Sequence, residues 1–232
     1  MTGKPQPLID LLLSIILPSM ILMKFSGDQD LGASGALVVA LSFPLAVGLY
    51  QLVRFNSANY IALLGLISVL LTGGIGLLQL DVEWLAIKEA AIPALLGFAI
   101  LISARLGYPL LHKLLFNPAI LDTEKISHIL CKRGCEKLFE ARLLGATYLM
   151  SATFFFSSAM NYVLAKWIVT SPTGSEAFNE ELGQLTLISY PVIAIPSLVM
   201  MLAIFYFLWR SLNNLTGLKL EEILLPSHSN HR

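Results

Sequence analysis

"WLAIKEAAIPALLGF", Trp84 to Phe98, is an apolar run of the kind that crosses a lipid bilayer, except that a lysine and a glutamate, Lys88 and Glu89, sit one turn inside its start. Continued to Ala104, the run has the roughly 20 residues that a hydrocarbon layer requires at about 1.5 Å rise each. A charge at the centre of such a helix costs about 2.5 to 3.5 kcal/mol on insertion scales, and less near an end, where a long stem reaches the interface. Lys88 is close enough to the end to do this. Adjacent helical residues point about 100° apart, so the spacing predicts that Lys88 and Glu89 do not pair face to face and that at least one of them seeks another helix or water.

The rest of the chain carries the same character. Of 232 residues, 56% are hydrophobic and 13% charged, and the mean hydropathy is +0.75. One soluble core of this size would not hide so much apolar surface, so the surplus faces lipid. Formal charge is zero, and no basic-aromatic stripe points to nucleic acid.

Six apolar runs are long enough to span, at residues 8–25, 35–53, 59–80, 84–104, 143–169 and 185–209. The expected fold is an all-α polytopic bundle, a single transmembrane domain of three hairpins with a cytoplasmic elbow over 105–142 and a cytoplasmic tail over 210–232. Lys4 precedes the first run, but no small-x-small cleavage pattern follows, so that run is read as a retained helix. With the amino terminus inside, Lys4, Arg54, Arg105, Lys113, Lys125, Lys132, Arg133, Lys137, Arg142, Arg210, Lys219 and Arg232 are cytoplasmic, and only Lys24, Lys88 and Lys166 lie toward the outer face. That imbalance places both termini in the cytoplasm. The acids Asp28, Asp30, Asp81, Glu83, Glu176, Glu180 and Glu181 fall on the opposite loops.

The even spans each carry a proline followed by an arginine at the inner end, in "FPLAVGLYQLVR", "IPALLGFAILISAR" and "IPSLVMMLAIFYFLWR". Proline frees the carbonyl four residues earlier, so Pro44, Pro93 and Pro196 allow kinks around a polar cleft; equally, prolines are common in membrane helices. "TGGIG", Thr72 to Gly76, leaves little side-chain bulk, which suits close approach of a neighbouring helix or a break lining a cavity. No Lys-Ser or Lys-Thr pair follows in the spacing of a phosphate loop.

The elbow holds "LDTEKISHILCKRGCEKLFEARL", with Ile126, Ile129, Leu130 and Leu138 near helical spacing, the pattern of an amphipathic helix resting on headgroups. Upstream, "PLLHKLLFNP" is a second amphipathic piece ended by Asn117 and Pro118. His128, Cys131 and Cys135 fall at i, i+3 and i+7 on one face. Zinc wants four ligands and closer cysteines, so no metal or other cofactor is expected and the thiols read as free in a reducing compartment. The patterns of nucleophile elbows, His-Glu-x-x-His sites and paired carboxylates within a span were not found, and no catalytic residue is expected.

The polar groups within the spans remain. Lys24, Lys88 and Lys166 lie at similar depth, and Glu89, Asp81 and Asn161 are near them in the expected topology. Converging, they would bind an anionic solute or lipid; separately, the lysines would snorkel and pair with acids such as Asp28, Glu83 and Glu180. Trp167 reads as an interfacial anchor. Asp10, at the inner end of the first span, is a relay candidate or an ordinary interfacial acid.

"SGALVVAL", "TGGIGLLQLD", "IKEAAIPALLGFAILISARLGYPLLHKLL" and "RLLGATYLMSATFFFSSAMNYVLAKW" together resemble the intracellular septation protein A family, and "WIVTSPTGSEAFN" resembles an uncharacterised branch of it. The resemblance covers most of the chain. It implies a multi-pass bacterial inner-membrane protein, linked to cell division and envelope maintenance through contacts with cell-wall synthesis proteins. The matching positions are Gly73, Gly74, Asp81, Lys88, Asn161 and Trp167, while Pro93, Pro191, Pro196 and the longer outer loop depart from the family pattern. Two functions therefore follow as expectations: assembly in envelope maintenance or septation, or transport of an anionic solute or lipid at the outer polar cluster.

Overall fold

Each of the six apolar runs is helical over most of its described residues. The computed structural model describes residues 12–54, 60–107 and 123–218, and their secondary structure is helical, with no strand among them. The helices are α1 (Leu12–Lys24), α2 (Gly32–Arg54), α3 (Tyr60–Leu77), α4 (Glu83–Arg105), α5 (Thr123–Lys132), α6 (Glu136–Ile168) and α7 (Glu176–Thr216). Asp10, the start of the first run, the "PLLHKLLFNP" piece and the tail from residue 219 lie outside the described residues.

Four stretches are long and apolar enough to cross a membrane: Gly32–Tyr50, Glu83–Arg105, Glu136–Ile168 and Glu176–Thr216. At most a third of the residues in the apolar window of any of them is buried inside the protein. The remaining apolar side chains, among them Leu95, Phe98, Leu198 and Leu202, point outward, which water would penalise and lipid does not. The other two apolar helices, Leu12–Lys24 and Leu63–Leu77, are shorter. α3 stops at Leu77, not at residue 80 as expected, because Gln79 takes a left-handed backbone (φ 51°) and Leu80 N–H turns back to the Ile75 carbonyl.

Two helices, α6 and α7, begin two turns or so before their apolar runs. α7 starts at Glu176, not at 185, because Ser175 is extended and its hydroxyl oxygen accepts a hydrogen bond from Phe178 N–H at 3.1 Å. α6 starts at Glu136, and the amphipathic helix expected across residues 121–143 is in fact two helices. Gly134 has φ +65°, with Cys135 N–H bonded to the Leu130 carbonyl and Gly134 N–H to that of Cys131. This is a Schellman ending, which needs glycine at its left-handed position. Cys135 therefore lies beyond the helix that carries His128 and Cys131, and the shared face expected for the three does not form. Nor is the apolar side of α5 left to rest on headgroups: Ile126 and Leu130 are buried against Phe139 and Leu212.

The described helices gather into two compact units, one from Met1–Pro93 and Ser157–Pro196, the other from Ala94–Phe156 and Ser197–Arg232. In the first, α1 packs on α2 and on the start of α7, and α2 packs on α3. Its core contains Leu22, Leu37, Leu85, Leu164, Phe178 and Leu182. Close approach depends on glycine at two places. A Cβ on Gly76 would stand 2.5 Å from Leu37 Cδ2, and one on Gly183 would stand 2.9 Å from the Ser19 carbonyl oxygen and 2.7 Å from Met23 Cγ. Gly73 lies 3.0 Å by the same measure from Leu41, whereas Gly74 has open space around it. "TGGIG" is thus a packing surface on an unbroken helix, carried by Gly73 and Gly76 and not by Gly74. Gly183→Val should lower stability by about 1 to 3 kcal/mol through overpacking against a backbone atom that cannot swing away, read as a lower melting temperature in detergent; Gly74→Ala should not.

The prolines differ in effect. Pro93 lies within a continuous α4, and Pro44 within a continuous α2. In α7 the turn Tyr190–Ala194, which contains Pro191 and ends two residues before Pro196, widens to a π-helix. Such a bulge accommodates the donor that proline lacks. The second unit closes over Ile100, Leu143, Ala146, Met150, Ile204 and Leu208, and its α6 is fastened to α4 by Ser151 Oγ donating to the Gly97 carbonyl at 2.8 Å.

Candidate functional site

Lys88 is the one buried charged residue among those described, at 9% exposure. Its ammonium lies 2.6 Å from Glu89 Oε1, donates to Thr72 Oγ1 at 2.7 Å and makes a longer contact of 3.4 Å with Ser68 Oγ. The expectation that Lys88 and Glu89 do not pair is therefore overturned. Their Cβ atoms do diverge, but a four-carbon stem swings the ammonium through the angle between them. The expectation that one of the two reaches another helix is met by the same atom, since Thr72 and Ser68 belong to α3.

The site is built from both helices. Thr72 Oγ1 donates to the Ser68 carbonyl one turn earlier at 3.0 Å, so its lone pairs are left to accept from Lys88. Ser68 and Thr72, at i and i+4, form a hydroxyl pair on the otherwise apolar α3. The Lys88–Glu89 pair is net neutral, and an ammonium has three donors, all of which are directed at these partners. A buried pair of this kind holds when its remaining hydrogen bonds are made. The arrangement fastens α3 to α4 and presents no unengaged cation.

The other expected residues do not gather around it. Lys166 pairs with Glu83 Oε1 at 2.6 Å, on the protein surface, tying α6 to the start of α4. Of the acids expected to pair with the outer lysines, Glu83 is the one found doing so; Glu180 accepts from Gln184 at 3.3 Å. Lys24, at the end of α1, is exposed. Asn161 Nδ2 donates to the Ser157 carbonyl of its own helix at 2.8 Å. Asp81 Oδ1 accepts from Glu83 N–H at 2.9 Å, capping the start of α4. Trp167 is 78% exposed. Two residues after Lys88 in the same helix, the Ala90 carbonyl, three residues before Pro93, accepts from Ser158 Oγ of α6 at 2.9 Å.

Two further residues, Asn179 and Glu181, hold this region together, a role that their polar, loop-like sequence context does not announce. Asn179, 1% exposed, donates from Nδ2 to Ser26 Oγ at 2.9 Å and to the Ala33 carbonyl at 2.7 Å. Ser26 in turn donates to the Leu22 carbonyl at 2.8 Å. One amide thus ties α7 to the end of α1 and the start of α2. Glu181 accepts from the backbone N–H of Thr170 and Ser171 at 2.9 and 2.8 Å and from both hydroxyls at 3.2 and 2.8 Å, pinning the segment between α6 and α7. Thr173 Oγ1 donates to the Leu80 carbonyl at 2.6 Å from the same segment.

Helices of this length and apolarity, joined through polar groups in their interior, define the class: an all-helical membrane protein. Neither the protein-family models, nor the curated proteins, nor the solved structures contain a match to the chain.

Proposed function

We propose that this chain is a multi-pass protein of the bacterial inner membrane that serves cell-envelope maintenance or septation by assembly and not by catalysis. Six spans with both termini cytoplasmic are the topology that the lysine and arginine bias supports. The observation that carries the assembly reading is the Lys88 ammonium, whose donors are directed at Glu89, Thr72 and Ser68. An anion site centred on Lys88 would need that ammonium unengaged, and here it acts as a fastener between helices. The envelope and septation part rests on the resemblance of "TGGIGLLQLD" and the other quoted stretches to the septation protein family, with division or cell-wall synthesis membrane proteins as partners.

Reconstitution and complementation test it together. Cells lacking the protein should show division or envelope defects, and Lys88→Met/Glu89→Gln, expressed at normal level, should restore them. Proteoliposomes should show no protein-dependent movement of anionic solutes or lipids. Movement that disappears in the folded double variant would replace this reading with transport.

A further inference from the structure

In the second unit an apolar cleft of about 430 Å3 opens between α6 and α7, lined by Leu149, Ala152 and Phe156 on one side and Met200, Ala203 and Phe207 on the other. Both helices are of membrane-crossing length, so the cleft lies along apolar surface that lipid chains would bathe. The lining residues recur at helical spacing, and both stripes run on to an arginine at the same end. Arg142 is seven residues before Leu149, two turns back on the same face, and Arg210 is three residues after Phe207. Arg142 Nη1 donates to Ser211 Oγ at 3.4 Å, which brings the two arginine-bearing turns together. Both arginines are exposed, and neither is in an ion pair with a described residue.

We propose that this cleft holds an acyl chain of an anionic phospholipid of the surrounding bilayer, with Arg142 and Arg210 meeting its phosphate. Ala152 and Ala203 open the gap that the chain fills. From Leu149 to Arg142 the helix climbs about 10 Å, enough to leave the hydrocarbon and cross the interfacial layer, which is about 5 to 7 Å deep on each side. Two guanidiniums at the mouth of a groove between membrane helices suit a phosphate carrying net negative charge. A zwitterionic lipid would gain less from them.

The full-length protein in detergent, titrated with phosphatidylglycerol or with phosphatidylcholine of the same acyl chains and read by native mass spectrometry, tests this. The wild type should retain phosphatidylglycerol over phosphatidylcholine by roughly fivefold or more. Arg142→Gln/Arg210→Gln should erase that preference, and Ala203→Phe should reduce retention of both lipids by obstructing the cleft. Equal retention of the two lipids by the wild type, or a preference that survives in the arginine variant, would overturn the proposal. So would a dimer that Ala203→Phe dissociates, since a second copy would then occupy the cleft. Because both arginines are on the surface, their variant is expected to elute as the wild type does on size exclusion, which keeps the test decisive even where Ala203→Phe does not fold.

Discussion

Lys88→Met should destabilise the protein in detergent by about 2 to 3 kcal/mol, at or just under the roughly 3 to 5 kcal/mol for removing one member of a fully buried ion pair, because Glu89 keeps some contact with solvent. The variant retains the length of the side chain but leaves the Glu89 carboxylate without its cation, and Thr72 and Ser68 without their donor. Followed by tryptophan fluorescence, the loss corresponds to a melting temperature lower by on the order of 5 to 10 °C. Lys88→Met/Glu89→Gln should recover part of it, with a coupling of about 1 to 2 kcal/mol between the two positions. Additive effects would mean that the pair does not act as a unit. The same cycle separates fastening from ligand binding, since a receptor lysine would be replaced at little cost to stability and at total cost to binding.

Asn179→Asp should be as damaging or more so, although it changes the size of the side chain hardly at all. The amide donates twice, to Ser26 Oγ and to the Ala33 carbonyl, and its own Oδ1 has no described partner. A carboxylate there would turn an acceptor toward the Ala33 carbonyl in a site that is 1% exposed. The expected cost is about 3 kcal/mol or more, from an unpaired buried charge and two lost hydrogen bonds. Asn179→Ala should cost less, about 2 kcal/mol, since it leaves orphaned partners but buries no charge. The order of the two variants in thermal unfolding is the test: an Asp variant as stable as the wild type would mean that α7 is not held to α1 and α2 by this amide.

The sequence made the apolar interiors of the helices legible, because hydropathy reports the surfaces that meet lipid. It gave their ends poorly. The first turns of α7, "EAFNEELGQ", are polar and carry the signature of a loop, yet a Ser175 cap and the burial of Phe178, Asn179 and Leu182 make them helix and core. At Gly134 the helical periodicity of the elbow runs on through the sequence while the backbone turns, and the signal was an isolated glycine in a charged stretch. For Lys88 and Glu89 the angle between their Cβ directions says little about where a long flexible stem ends, and the two pair despite it. Ser68 and Thr72 are legible in principle as a hydroxyl pair at i, i+4 on an apolar helix, but the glycines of "TGGIG" beside them point to close packing or a cavity-lining break and not to a lysine partner. Asn161 was expected to need partners from elsewhere and is instead bonded within its own helix.

The outward apolar faces of these helices are suited to lipid and not to water. Single cysteines at Leu95 and Leu202, which are 65% and 58% exposed on the protein itself, test this directly in a background with Cys131 and Cys135 replaced by serine. In intact membranes Leu95→Cys and Leu202→Cys should resist a water-soluble maleimide that labels Gln29→Cys in the turn after α1, and all three should label after denaturation. Rapid labelling at residues 95 and 202 in the folded protein would place those faces in water and contradict the account.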